Sequence, residues 1–169
     1  ASPMQGVIWT YDFDRYPPQN GIDTSFTSYS SWYSDWVAGS PQRQLARIWH
    51  DRWHCSCDRS IATINGYYLV AVASTFGDVG TILEVTLEGG TKFKAMIADA
   101  KSSGDATYAR CGWGHMVDGK VNVIEWECVK VGSDGVAMTT GDRYAGASDI
   151  DLTGWRGLAV ISIKNLGKM

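Results

Sequence analysis

The chain has 169 residues, with 15 Lys and Arg against 18 Asp and Glu and a net charge of −3. That length suits one domain, or one domain with an N-terminal extension, and it supplies enough buried surface to fold without covalent staples. Apolar residues make up 44% of the chain, which excludes wholesale disorder. The longest apolar run, Tyr67 to Ala73, is far short of the about 20 residues a membrane-spanning helix needs, and the mild acidity gives no pull toward nucleic acid. Tryptophan is the outlier: there are 8, and five of them precede residue 54. Such an excess means dense packing or flat surfaces for sugar rings.

Ala1 to Met4 has neither a basic nor an apolar region, so no signal peptide is expected there. Ala1-Ser2 ahead of Met4 reads as a cloning scar, leaving room for a native chain that extends upstream. Residues 1–30 read as loop around Pro17-Pro18-Gln19-Asn20-Gly21, with a short strand at Val7-Ile8-Trp9. Tyr29, Trp32, Tyr33 and Trp36 fall at helical spacing, which predicts a helix over 24–38, capped by Asp23 or Thr24 and ended by Gly39-Ser40-Pro41. A second helix is predicted over 42–53, with Leu45, Ile48 and Trp49 on its stripe. Both stripes fit core packing better than ligand binding.

From residue 60 the pattern turns to strands. Asn65-Gly66 is a hairpin signal, followed by a buried strand over 67–75. Leu83, Val85 and Leu87 alternate with Ile82, Glu84 and Thr86. After the Glu88-Gly89-Gly90-Thr91 turn, Phe93, Ala95 and Ile97 alternate with Lys92, Lys94 and Met96. A long Gly-rich loop is predicted over 102–120, a strand over 121–131, loop over 132–154 and a last strand over 155–163. Short strands between Gly turns predict a small β-barrel.

The four cysteines are Cys55, Cys57, Cys111 and Cys128. Reduced packing, a disulfide from the Cys55–Cys57 turn to Cys111 or Cys128, and a metal site with His50 and His54 all stay open. The His/Cys spacing matches no standard zinc signature, and no metal or other cofactor is expected.

Two carboxylates stand apart from the rest. Asp99 closes the apolar run Phe93 to Ala98, and Glu125 lies between Ile124 and Trp126 inside a strand. Apolar surroundings disfavour the charged carboxylate and suit it to act as a general acid. The plainer alternative is a solvated group on an edge strand, or an ion-pair partner for Lys101 or Arg110. His115, in Gly112-Trp113-Gly114-His115, is expected on the long loop, where it is either solvated or functional. A cysteine nucleophile paired with a neighbouring histidine also stays open.

A family resemblance rests on several stretches. They are Asn65-Gly66-Tyr67-Tyr68-Leu69-Val70-Ala71-Val72-Ala73-Ser74, Gly80-Thr81, Leu87-Glu88-Gly89-Gly90-Thr91, Ile97-Ala98-Asp99-Ala100-Lys101 and Asn122-Val123-Ile124-Glu125-Trp126. Together they resemble the three-aspartate domain and its phage- and Firmicute-associated relatives, over about residues 62–130. Gly39-Ser40-Pro41-Gln42-Arg43-Gln44-Leu45 is similar to the lead-in of the phage-type version. The resemblance implies a six-stranded double-psi β-barrel over 61–169, mainly β, with an N-terminal extension over 1–60 carrying one or two short helices. It is distantly similar to membrane-bound lytic transglycosylase A and to expansins.

By that resemblance Asp99 matches the strand-end general acid/base and Glu125 the later acidic residue. The family's first Asp is missing, since Val70-Ala71-Val72 runs into Ala73, and its Thr-Gly-Gly is replaced by Ala100-Lys101-Ser102. These departures bear on catalysis more than on fold. The implied activity is cleavage of peptidoglycan glycan strands, at the cell wall or from a phage virion. Thr75, Lys101, Trp113, His115 and Trp126 are the candidate substrate contacts. The alternatives are a non-catalytic wall-binding or phage tail module on the same barrel, and a cysteine- or metal-dependent enzyme.

Overall fold

The computed structural model describes residues 9–12, 22–24, 39–42, 44–45, 55–58, 61–100, 115–117, 120–127, 155 and 158–168. These residues are mainly β. The strands are β1 (Trp9–Asp12), β2 (Ile22–Thr24), β3 (Cys55–Asp58), β4 (Ile61–Ile64), β5 (Tyr67–Val72), β6 (Thr81–Leu87) and β7 (Lys92–Ala100), then β8 (His115–Val117), β9 (Lys120–Asn122), β10 (Ile124–Trp126) and β11 (Val160–Lys168).

One mixed sheet runs β1-β11-β6-β7-β5-β10-β2, with β4 beside β5 and β3 beside β4. The β5–β7 and β10–β2 pairs are parallel. A meander of hairpins contains no parallel pairs, so chain crossovers are built into the sheet. The sheet is open: closure into the expected barrel is not among the described pairings.

Local chemistry explains the best-formed elements. Asn65 (φ 51°) and Gly66 (φ 81°) form the tight β4–β5 turn, the left-handed pair that matches strand twist. On β6, residues 81–87 alternate in burial from Leu83 on, as the period of two requires. Beyond β5 the chain makes a 3₁₀ turn at Ser74–Phe76 and crosses to β6. That crossing is fixed on both sides. Gly80 donates to the Ile97 carbonyl at 2.8 Å, and the buried Asn165 amide donates to the Phe76 carbonyl at 2.8 Å. Gly77 sits there at φ 144°, and a Cβ would come within 3.0 Å of the Thr81 side chain.

One face of the sheet packs the core. It carries Val70 and Val72 of β5, Leu83, Val85 and Leu87 of β6, Phe93, Ala95 and Ile97 of β7, Ile124 and Trp126 of β10 and Ile163 of β11. Four rings meet there. Phe93 and Trp155 stack at 5.0 Å, and Tyr68 meets Trp126 edge-on at 5.6 Å. The Tyr68 hydroxyl donates to the Asp58 carboxylate, which ties the cluster to β3.

Several sequence expectations are corrected. Of the first predicted helix, over 24–38, only Thr24 lies among the described residues. Asp23 and Thr24, expected as a helix cap, extend in β2 against Glu125 and Trp126; pairing with a formed strand outweighs a local capping preference. At the start of the second predicted helix Pro41, Gln42, Gln44 and Leu45 are helical, and the Gln44 N–H donates to the Ser40 carbonyl at 3.0 Å. The remaining positions of both helices lie outside the described residues. The 102–120 loop ends in the β8–β9 hairpin, which places His115 on a strand opposite Asn122. The predicted 121–131 strand breaks at Val123, because β9 pairs with β8 while β10 joins the main sheet. The last strand starts at Val160, not Trp155, because its ladder follows β6 as far as Lys168 opposite Thr81.

Candidate functional site

The site begins with strand pairing around Ala71. On β10, Ile124 and Trp126 are buried in the core, so the alternation of a strand puts Glu125 on the opposite face. On β5, Val70 and Val72 face the core and Ala71 shares the face of Glu125. Glu125 pairs directly with Ala71 across the antiparallel β10–β5 ladder.

Asp99 reaches the same face by a different route. Regular alternation on β7 would set it with Phe93, Ala95 and Ile97 on the core face. The β5–β7 register prevents this: Val70 opposes Ile97, but Ala71 opposes Asp99, so Ala98 is an extra residue. Such a β-bulge re-aims the side chains that follow it. Asp99 therefore lies across from Ala71 on the Glu125 face.

The two carboxylates stand in one row, one on each side of Ala71. The row spans two strand separations, about 9–10 Å between Cα atoms. Ala71 contributes only a methyl group between them. Both acidic residues are half-buried, and the surrounding Leu69, Met96 and Ala98 are buried. One oxygen of Asp99 accepts the backbone N–H of Ala100 at 2.8 Å. A charge-assisted bond of this kind helps fix the carboxylate's orientation at the strand end.

The remaining candidates divide. Thr75 lies half-buried in the 3₁₀ turn that follows β5. His115 is on β8, within the hairpin that leads into β10. Trp126 is fully buried in the aromatic cluster, on the face opposite Glu125. Its rings are spent on Phe93, Tyr68 and Trp155, so it has no open face for a sugar. Lys101 and Trp113 lie outside the described residues. Among the described residues, no group of three or more His, Cys, Asp or Glu could hold a metal ion, and no helix is long and apolar enough to cross a membrane.

One acidic residue escaped the sequence reading. Glu127 is only 4% exposed. Its N–H donates to the Leu69 carbonyl at 3.0 Å and its carbonyl accepts from Ala62 at 2.9 Å, which extends the β10 ladder one residue past Trp126. Alternation sets it on the Glu125 face, next to the Leu69–Met96 row. The signal was available as Glu125-Trp126-Glu127, two acids spaced by two in an apolar strand.

No family model, curated protein or solved structure matches the chain.

Proposed function

We propose that this chain cleaves the glycan strands of peptidoglycan, with Asp99 as general acid/base, on a sheet that belongs to a double-psi β-barrel. One observation supports the reading above all: Asp99 and Glu125 flank Ala71 on a single face, and a bulge is spent on bringing Asp99 there.

The chemistry follows from that row. Asp99 protonates the glycosidic oxygen as the bond to the anomeric carbon breaks. It then accepts a proton from the sugar's own hydroxyl, which closes an anhydro ring. Glu125 stabilises the positive charge that develops on the sugar ring. If water attacks instead, Glu125 takes the water's proton. Hydrolysis of that kind with inversion uses carboxyl groups about 6.5–9.5 Å apart, a spacing that two strand widths allow. Thr75 is retained as a candidate contact, being on the crossing just beyond β5, and His115 as one that the β8–β9 hairpin carries. The site of action is the cell wall, reached from outside the cell or from a phage virion.

The test is incubation with purified peptidoglycan, with mass spectrometry of the soluble fraction. Anhydro-ended muropeptides are expected from transglycosylation and free reducing ends from hydrolysis. Tight binding to insoluble wall without release of either product would replace this reading with that of a wall-binding module.

A further inference from the structure

At the C-terminal end of the parallel β5–β7 pair lies a half-open pocket of about 350 Å³. Ser74, Asp78 and Val79 of the crossing after β5 line it, with Ala100 of β7, Lys168 of β11 and Gln42. The volume lies within the roughly 300–1,000 Å³ typical of small-ligand sites. The pocket lies one residue beyond Asp99 along β7, since Ala100 directly follows Asp99 and pairs with Val72.

Its charge pattern is specific. Lys168 Nζ lies 3.8 Å from Asp78 Oδ2, and their side chains are 57% and 85% exposed. An ion pair this exposed contributes little to stability, so a ligand that offers each partner a better counter-charge opens it readily. The backbone that presents Asp78 is already fixed. Thr81 N–H donates to the Asp78 carbonyl at 3.0 Å, and Gly80 and Phe76 are tied to Ile97 and Asn165. The backbone of the crossing therefore needs no ordering by a ligand, which favours binding. Ser74 and Gln42 add a hydroxyl and an amide beside the charges.

We infer that this pocket is a subsite for a zwitterionic peptide unit, whose carboxylate meets Lys168 and whose ammonium meets Asp78. The inference rests on the proposed cleavage of peptidoglycan, in which that unit is the stem peptide carried by the glycan. Seating the stem at the strand end holds the attached sugar chain one residue from Asp99 along β7. The pocket thus selects wall glycan over a bare polysaccharide.

The test compares intact peptidoglycan with the same glycan after an amidase has removed its stems. Lys168→Glu and Asp78→Lys should each raise KM on intact wall about tenfold, the scale of one lost charge-assisted hydrogen bond, with kcat held. Neither variant should change cleavage of stem-free glycan. An N-acetylated stem tripeptide, whose one ammonium is the side chain of its diamino acid as in the attached stem, titrated and followed by amide NMR, should shift Ser74 to Val79 in the wild type and equally in Asp99→Asn, but not in Lys168→Glu. Unchanged KM in both charge variants, or no shift with the tripeptide, overturns the inference. If the wild type binds tripeptide in the pocket but cleaves neither substrate, the cleavage reading falls and the subsite stands. Cleavage of both substrates without tripeptide binding has the opposite meaning.

Discussion

The two faces of the same three strands do different work. On β5, β7 and β10, one face carries Val70, Val72, Phe93, Ile97, Ile124 and Trp126, which pack against each other and against Trp155. The other carries Ala71, Asp99 and Glu125. Ile124-Glu125-Trp126 states the contrast within three residues: two fully buried core side chains around one half-buried carboxylate. A strand can serve packing and chemistry at once, because its period of two separates them without any change in backbone. What alternation cannot do is move a residue to the other face. For Asp99 a bulge does that.

The contrast can be broken from either side. Trp126→Ala should give the largest effect, a stability loss of about 3–5 kcal/mol, because it empties the centre of the aromatic cluster. Urea unfolding followed by the remaining tryptophans reads it. A loss under about 1 kcal/mol would mean that the core face is not organised around this ring. Ala71→Leu comes next, on the carboxylate face. It fills the space between the two acids while keeping both, so glycan cleavage should fall about 10- to 100-fold, the scale of a misplaced substrate. The far-UV spectrum should be unchanged. Full activity in this variant would separate Ala71 from the reaction path. The smallest effect is expected on the same face, away from the two acids. Lys164 opposes Glu84 across β11 and β6 at 3.7 Å, with side chains 36% and 24% exposed. Lys164→Ala should cost only about 0.2–1 kcal/mol, and added salt should shrink the difference further.

Much of the sheet is legible in the sequence because its signals are local. Leu83-Val85-Leu87 and Phe93-Ala95-Ile97 name the core face by alternation alone, and Asn65-Gly66 names the turn before β5. The hairpin at β8–β9 was equally legible: Asp118-Gly119 stands between the two strands, a two-residue turn signal hidden by the abundance of glycine around it. The N-terminal strands were harder. Nothing local in Ile22-Asp23-Thr24 says strand, and its extended form depends on β10, a hundred residues away in the chain. The candidate site was half legible. Asp99 and Glu125 stand out as acids in apolar runs, but their shared face does not follow from those runs. Continued alternation from Ile97 sends Asp99 to the core side. Only the register against β5 reveals Ala98 as the extra residue, and register is a property of two strands. Trp126 illustrates the converse. Its place beside Glu125 in sequence suggested a sugar contact, whereas adjacency on a strand puts two side chains on opposite faces.

In the proposed reaction Asp99, turned onto the Glu125 face by the bulge at Ala98, is the group that moves the proton. The direct measurement is the rate of soluble muropeptide release by Asp99→Asn against the wild type, at equal folded concentration. Removal of a general acid/base typically costs about 10²- to 10⁴-fold, and a fall in that range, with unchanged unfolding behaviour, is the predicted result. An Asp99→Asn protein that releases muropeptides at the wild-type rate would contradict it.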